Sequence, residues 1–440
     1  MPHYRSGSPL LLSALFWASV ISPDGAVRAA DWPQWRGPNR DGKSTEVGLL
    51  QSWPEGGPAV AWKATDAGAG YSSVSVAGGR VFTMGMSGGK EHVIAYSLED
   101  GKTAWKTPIG SAYDSDRGGG PRGTPTVDGE TLYALGAGGD LVSLKAADGA
   151  PVWQVNLVQK FGGKSPGWGF AESVLLDGSM AICSPGGRDA SIAALDRKTG
   201  EVVWKSTGLS DRAGYASAIA ATVDGIRQII HFTHSTASSV RASDGAPLWT
   251  YGKASNGVAN CATPVLHENH VFFSSDYGQG SALLQLSGKE GKVEAKEVYF
   301  QKELQNHHGG VILLDGSLYA HSGGNNERSH AIYCLDFLTG KVKWKDAGFG
   351  KCSMTYADKH LYCLTQDGLM GLVEVHPEKY IEKSRFVFKA YKNFKTGGLS
   401  EKDEKPTWAH PVVSHGKLFL RDQDSLVAYD VKSRPKTAEK

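Results

Sequence analysis

One pattern recurs along almost the whole chain. The stretch IAYSLEDGKTAW, ending at Trp105, reads as an apolar strand, an Asp-Gly turn and a second strand closing on Trp. The same form returns in LVSLKAADGAPVW at Trp153, IAALDRKTGEVVW at Trp204, SVRASDGAPLW at Trp249 and IYCLDFLTGKVKW at Trp344. Weaker copies put Ala295 in the Trp position or fall near Phe386. Counted from Trp62, these positions lie 42 to 51 residues apart. A hairpin precedes each copy, as in VSVAGGRVFTMG, PTVDGETLYALG and VILLDGSLYAHS. Alternating apolar residues flank Gly-Gly or Asp-Gly there, because a two-residue hairpin turn needs positive φ. Each unit is therefore four strands, and four strands in roughly 40 to 50 residues is the signature of a propeller blade.

Counting the units shows how a ring would close. The last one has a hairpin, Val412 to Arg421, and a third strand, Leu426 to Val431, with no fourth strand after it. The first fourth-strand, Val60-Ala61-Trp62-Lys63, has no hairpin before it. Pairing the two orphans predicts an all-β, eight-bladed β-propeller whose N-terminal strand closes the last blade and leaves no open sheet edge. Trp62, Trp105, Trp153, Trp204, Trp249 and Trp344 are predicted to be structural, docking between neighbouring blades. Composition agrees: glycine is 56 of 440 residues against only 19 prolines, as many tight turns require. Lys and Arg total 47 against 45 Asp and Glu. That balance argues against a nucleic-acid surface, which needs clustered excess cations.

The first residues read as an address. Arg5 precedes the apolar run Leu10 to Ile21, and Val27-Arg28-Ala29 places small or aliphatic residues before Ala30. This predicts a cleavable signal peptide over 1–29, with cleavage near Ala29/Ala30 and a periplasmic or secreted product. No cysteine follows the run to carry a lipid anchor, and no other stretch is apolar enough for a membrane span. The propeller is expected over 30–432 as a single domain, a charged insertion over 391–405, and a flexible tail over 433–440. The five cysteines form no C-x-x-C pair. Cys352 and Cys363 fall on the two arms of one hairpin, which leaves either a strained disulfide or two buried thiols.

In a propeller the innermost strand of each blade lines the central channel, so the residues leading into those strands converge at one mouth. They are Tyr71 with Ser72 and Ser73, Arg122, Trp168 with Glu172, Tyr215 with Ser217, Asn260 with Cys261, His307 with His308, Cys352, and Trp408 with His410. Aromatic faces with a few placed polar groups are what a small-molecule pocket needs. A metal there would require His307, His308, His410 and Glu172 to converge; the other reading is histidines satisfied by water and backbone. Arg122 could pair with Glu172 across the channel or meet a ligand anion. Trp168 and Trp408 could plug the channel or sandwich a ligand.

The units ALDRKTGEVVWK and CLDFLTGKVKWK resemble the repeat of pyrroloquinoline-quinone-like (PQQ-like) propellers. That superfamily includes quinoprotein alcohol dehydrogenases and the propeller lipoprotein that assists outer-membrane protein assembly. The segment DWPQWRGPNRDG, from Asp31 to Gly42, is similar to the opening of exported bacterial members. For a dehydrogenase the resemblance implies PQQ at the axis, a disulfide between adjacent cysteines, a Trp floor, a Ca²⁺ held by Glu and Asn, and an Asp base. This chain departs from that set, with no adjacent cysteines, no haem attachment site and no long roofing insertions. The expectation is therefore a non-catalytic scaffold that binds an unknown small molecule or envelope protein through the axial mouth or the blade-rim loops. The alternative is a PQQ-dependent oxidoreductase acting on an alcohol or sugar, and a third option is an inert, plugged mouth.

Overall fold

A computed structural model describes residues 31–323, 330–390 and 404–433. The expected leader and most of the charged insertion and tail lie outside the described residues. Eight four-stranded antiparallel sheets are present. Blades 1 to 7 span residues 75–111, 126–156, 175–205, 219–251, 265–301, 311–346 and 352–387. Blade 8 combines Val412–Ser414, Lys417–Asp422 and Ser425–Asp430 with Val60–Ala64 from the N-terminal side. Val60 pairs with Tyr429, Trp62 with Ala428 and Ala64 with Leu426, so the ring closes between the two ends of the chain. Arg421 reinforces that seam. Its buried guanidinium donates to the carbonyls of Ser72 and Gly68 in the lead to blade 1.

The core lies between blades rather than in one centre. One cluster joins Ile230 and Phe232 of blade 4 to Phe273 and Leu284 of blade 5, and another joins Leu364 and Leu372 of blade 7 to Leu418 and Leu420 of blade 8. The outer-strand tryptophans complete these interfaces. The indole N–H groups of Trp62, Trp105, Trp153, Trp204 and Trp344 reach across to the carbonyls of Leu98, Ala146, Arg197, Ala242 and His376 in the following blade. Trp249 instead donates to Gln228 Oε1 of its own blade at 3.0 Å. In blade 5 the position belongs to Tyr299 rather than Ala295. Its hydroxyl donates to the Phe337 carbonyl at 3.0 Å. The hairpin there, Gly280–Lys289 with Lys292–Gln301, is longer than its counterparts and shifts the equivalent residue outward.

The cysteine pair is also resolved. Cys352 lies opposite Thr365 and Cys363 opposite Met354, a diagonal offset, and all five cysteines are free thiols. The disulfide option is thus not realised.

Candidate ligand site at the axial mouth

Each blade's inner strand is short and runs along the axis, so the lead-in residues crowd one end of the channel. They surround a cavity that is open at its mouth. Tyr71, Arg122, Trp168, Tyr215, His307, His308, Trp408 and His410 line it, as do Ser217 and Cys261. Trp35, Arg117 and Tyr277 line it too, and the sequence reading did not single them out. Tyr277 adopts φ +61 in a tight turn, and no sequence pattern marks it. Trp35 lies inside DWPQWRGPNRDG, a segment noticed for resemblance alone.

The aromatic rings form a nearly continuous wall. Trp408 lies 5.0 Å from Tyr71 and 4.9 Å from His308 between ring centroids. His308 stands 4.7 Å from His307, which is 5.4 Å from Tyr277. Trp168 tilts against Tyr215 at 5.7 Å. Two cations rest on this wall, Arg122 over the Tyr71 ring at 5.4 Å and Arg117 over Trp168 at 5.7 Å, both in the range of cation–π attraction. Trp35 meets His410 edge-on at 4.5 Å and closes the bottom.

Burial sets the protonation of the imidazoles. It drives His307 and His308 well below the ordinary value, with the nearby Lys351 charge acting in the same direction. His410 is held down to about 3 by burial and then by Arg36. All three are neutral at neutral pH. His410 Nε2 lies 2.6 Å from the His308 carbonyl, which can only accept, so Nε2 carries the proton. Lys351 is itself lowered to about 8 by burial.

Two expected residues do not line the cavity. Glu172 turns away from the cavity toward blades 3 and 4, where its carboxylate accepts from Ser184 N at 2.5 Å and meets His231 Nε2 of blade 4 at 3.0 Å. Asn260 donates to the carbonyls of Thr233 and His234 and supports the loop from below. The Arg122–Glu172 pair across the channel is therefore not formed. Arg122 instead donates to the carbonyls of Gly118 and Gly120, both at 2.7 Å, and holds the rim loop. Glu172 is likewise lost to any metal set with the histidines. Among the described residues no group of three or more His, Cys, Asp or Glu is disposed to hold a metal ion.

A family model described as outer membrane protein assembly factor BamB, of the PQQ-like propeller repeat, matches residues 89–346. The chain belongs to this PQQ-like propeller family. It is 22% identical over 263 residues to the outer membrane protein assembly factor BamB of Yersinia pestis, a match covering 55% of this chain and 60% of that protein. It is 27% identical over 158 residues to the BamB of Xanthomonas campestris pv. campestris, covering 34% of each. The chain thus matches less than two thirds of either relative's length. Among solved structures, BamB from Moraxella catarrhalis superposes with a TM-score of 0.51 at 14% identity, over 80% of this chain and 94% of that one. Quinohemoprotein alcohol dehydrogenase ADHIIG from Pseudomonas putida HK5 gives 0.61 at 12% identity, over 93% and 81%. At such identities the likeness speaks for the fold.

The dehydrogenase cofactor can be tested against these side chains. PQQ is a flat polyanion, and stacked rings with two guanidinium groups suit such a body. Its Ca²⁺ does not suit them. A hard cation wants several oxygen ligands, and no carboxylate is among the described residues lining the cavity.

Proposed function

We propose that this PQQ-like propeller is a non-catalytic binding scaffold of the cell envelope, and that its axial mouth takes a small, flat, anionic molecule without a metal. The observation that carries this reading is the wall of aromatic rings bearing Arg117 and Arg122, with neutral histidines and no carboxylate among the described lining residues. Flat apolar faces offer stacking to any planar body, while the two guanidinium groups select for negative charge. The expected leader over 1–29 and the assembly-factor description of the family support an envelope location.

The test is titration of the purified chain with PQQ, with and without Ca²⁺, read by Trp fluorescence and calorimetry. One-to-one binding that needs no Ca²⁺ and is lost in Trp408→Ala is the expected result. A Ca²⁺ requirement with dye reduction would favour the oxidoreductase instead. Absence of binding well above micromolar concentrations would turn attention to the blade rims. There Val60, Val203 and Val387 stand 57%, 49% and 63% exposed on outer strands, and a protein partner is the second reading.

A further inference from the structure

The floor of the mouth does not come from the blades. Residues Trp32 to Ser44 run as a strap across the axis. Trp32 pairs with Val76 of blade 1, and the Pro33 carbonyl accepts from Val127 N of blade 2. At the far end Gly42 and Ser44 bond with Tyr356 of blade 7. Between these anchors Trp35 donates from its indole to Thr263 Oγ1 at 2.9 Å, in the lead to blade 5, and its ring packs on His410. Beneath the strap lies a second cavity, lined by Asn39, Arg40, Asp41 and Lys43. Its other walls come from the inner strands of blades 4, 5 and 6, among them Ala220, Leu266 and Leu314. The strap is the partition between the two.

Its fastening is electrostatically costly. Arg36 and Arg40 are 3% and 5% exposed. Arg36 Nη2 donates to the carbonyls of Val311 and Asp41 at 2.5 and 3.1 Å. Arg40 Nη2 donates to the Ser173 carbonyl at 2.8 Å. Nε of both residues and Nη1 of Arg36 have no hydrogen-bond partner. Gln34 Oε1 accepts from Arg40 Nη1 at 3.0 Å, and the Asp41 and Glu172 charges oppose those of Arg36 and Arg40, yet burial outweighs them and lowers both guanidinium groups to about 10. Gly310, at φ +79, leaves the space that the Arg36 guanidinium fills beside His410. A positive charge thus sits directly under the floor of the mouth.

We propose that Trp35 on this strap is a positioning residue of the ligand site, so that seating of the strap and occupancy of the mouth by an anion favour one another. The proposal rests on the mouth being the ligand site. A flat anion stacked above Trp35 adds contact to the floor and offsets the field of Arg36, while an unseated strap removes both. Coupling is then positive and reciprocal.

The experiment is hydrogen exchange with PQQ as probe. In the native chain, saturating PQQ is expected to slow amide exchange in 32–44 about tenfold, and Trp35→Ala to weaken PQQ about tenfold, with Trp35→Phe restoring most of it. Equal affinity in native chain and Trp35→Ala, with no protection of the strap, would overturn the proposal and leave the strap a brace. Failure of PQQ to bind the native chain would sink the ligand reading, and exchange without ligand would then judge the strap. Trp35→Ala should speed exchange about tenfold at 259–263 and 407–411, on either side of the axis, while outer strands keep their protection. Unchanged exchange at those two stretches would overturn the strap's role as floor.

Discussion

Gly200 lies flat beneath the indole of Trp153, so close that a Cβ there would fall 2.8 Å from the ring. The glycine is at φ +72, and the indole N–H donates to the Arg197 carbonyl of the same turn at 2.9 Å. Ring, turn and hydrogen bond form one unit that joins blade 2 to blade 3. Gly200→Ala is expected to cost about 1–3 kcal/mol, through both the backbone conformation and the clash. Trp204→Ala, which empties the next interface, should cost about 3–5 kcal/mol. Chemical unfolding of both variants checks this; a Gly200→Ala protein as stable as the parent would refute the interlock.

A second expectation concerns acid. Burial keeps His307 and His308 well below the ordinary imidazole range, and holds His410 at about 3 with help from Arg36. The unfolded chain binds protons at these sites near pH 6.5 and the folded chain does not. Their contribution to stability is therefore complete above about pH 6.5 and lost progressively as pH falls toward the folded value. Each such group supplies a slope of up to about 1.4 kcal/mol per pH unit. Melting temperature should drop from pH 7 to pH 5, and His410→Gln should flatten that dependence. A pH-independent melting temperature over this range contradicts it.

The eight blades were readable in the sequence because their signals are local. Alternation flanking Asp-Gly turns, repeated with an outer Trp, needs no knowledge of distant contacts, and the unmatched strand at Val60 needed only counting. Ala295 misled because equal spacing assumes equal hairpins, and blade 5 has longer ones. The site was readable to within one residue. Ala171 and Ser173 line the mouth while Glu172 between them faces away from it. Ala259 and Cys261 line it while Asn260 turns away. Neighbours in extended backbone point to opposite sides, and sequence spacing alone does not say which side is the axis. Trp35 was missed for a different reason: it comes from outside the repeat, so no periodicity could place it.

The cysteines offer a chemical check on the same geometry. Cys261 faces the mouth and is partly exposed, whereas Cys183, Cys334, Cys352 and Cys363 are buried. Burial pushes the Cys261 thiol up to about 12, so little thiolate is present at neutral pH. Native protein should therefore react slowly with a disulfide reagent at one position, faster as pH rises, and Cys261→Ser should abolish that phase. Denatured without reductant, the chain should release five thiols. Three would show that Cys352 and Cys363 are joined after all.

The turned-away carboxylate of Glu172 separates stability from binding. Glu172 and His231 are 4% and 1% exposed in their side chains and meet at 3.0 Å, so either one left alone is a buried polar group without its partner. Glu172→Gln keeps the shape but removes the charge, and should destabilise by about 2–4 kcal/mol. Glu172→Gln and His231→Gln together should cost less than the sum of the two, because the second change removes a group already left unsatisfied. Affinity of the mouth for PQQ should stay within about threefold of the parent, since the carboxylate faces Ser184 and His231 rather than the cavity. The reverse pattern, intact stability with affinity lost, would return Glu172 to the site and reopen the case for a cation beside the histidines.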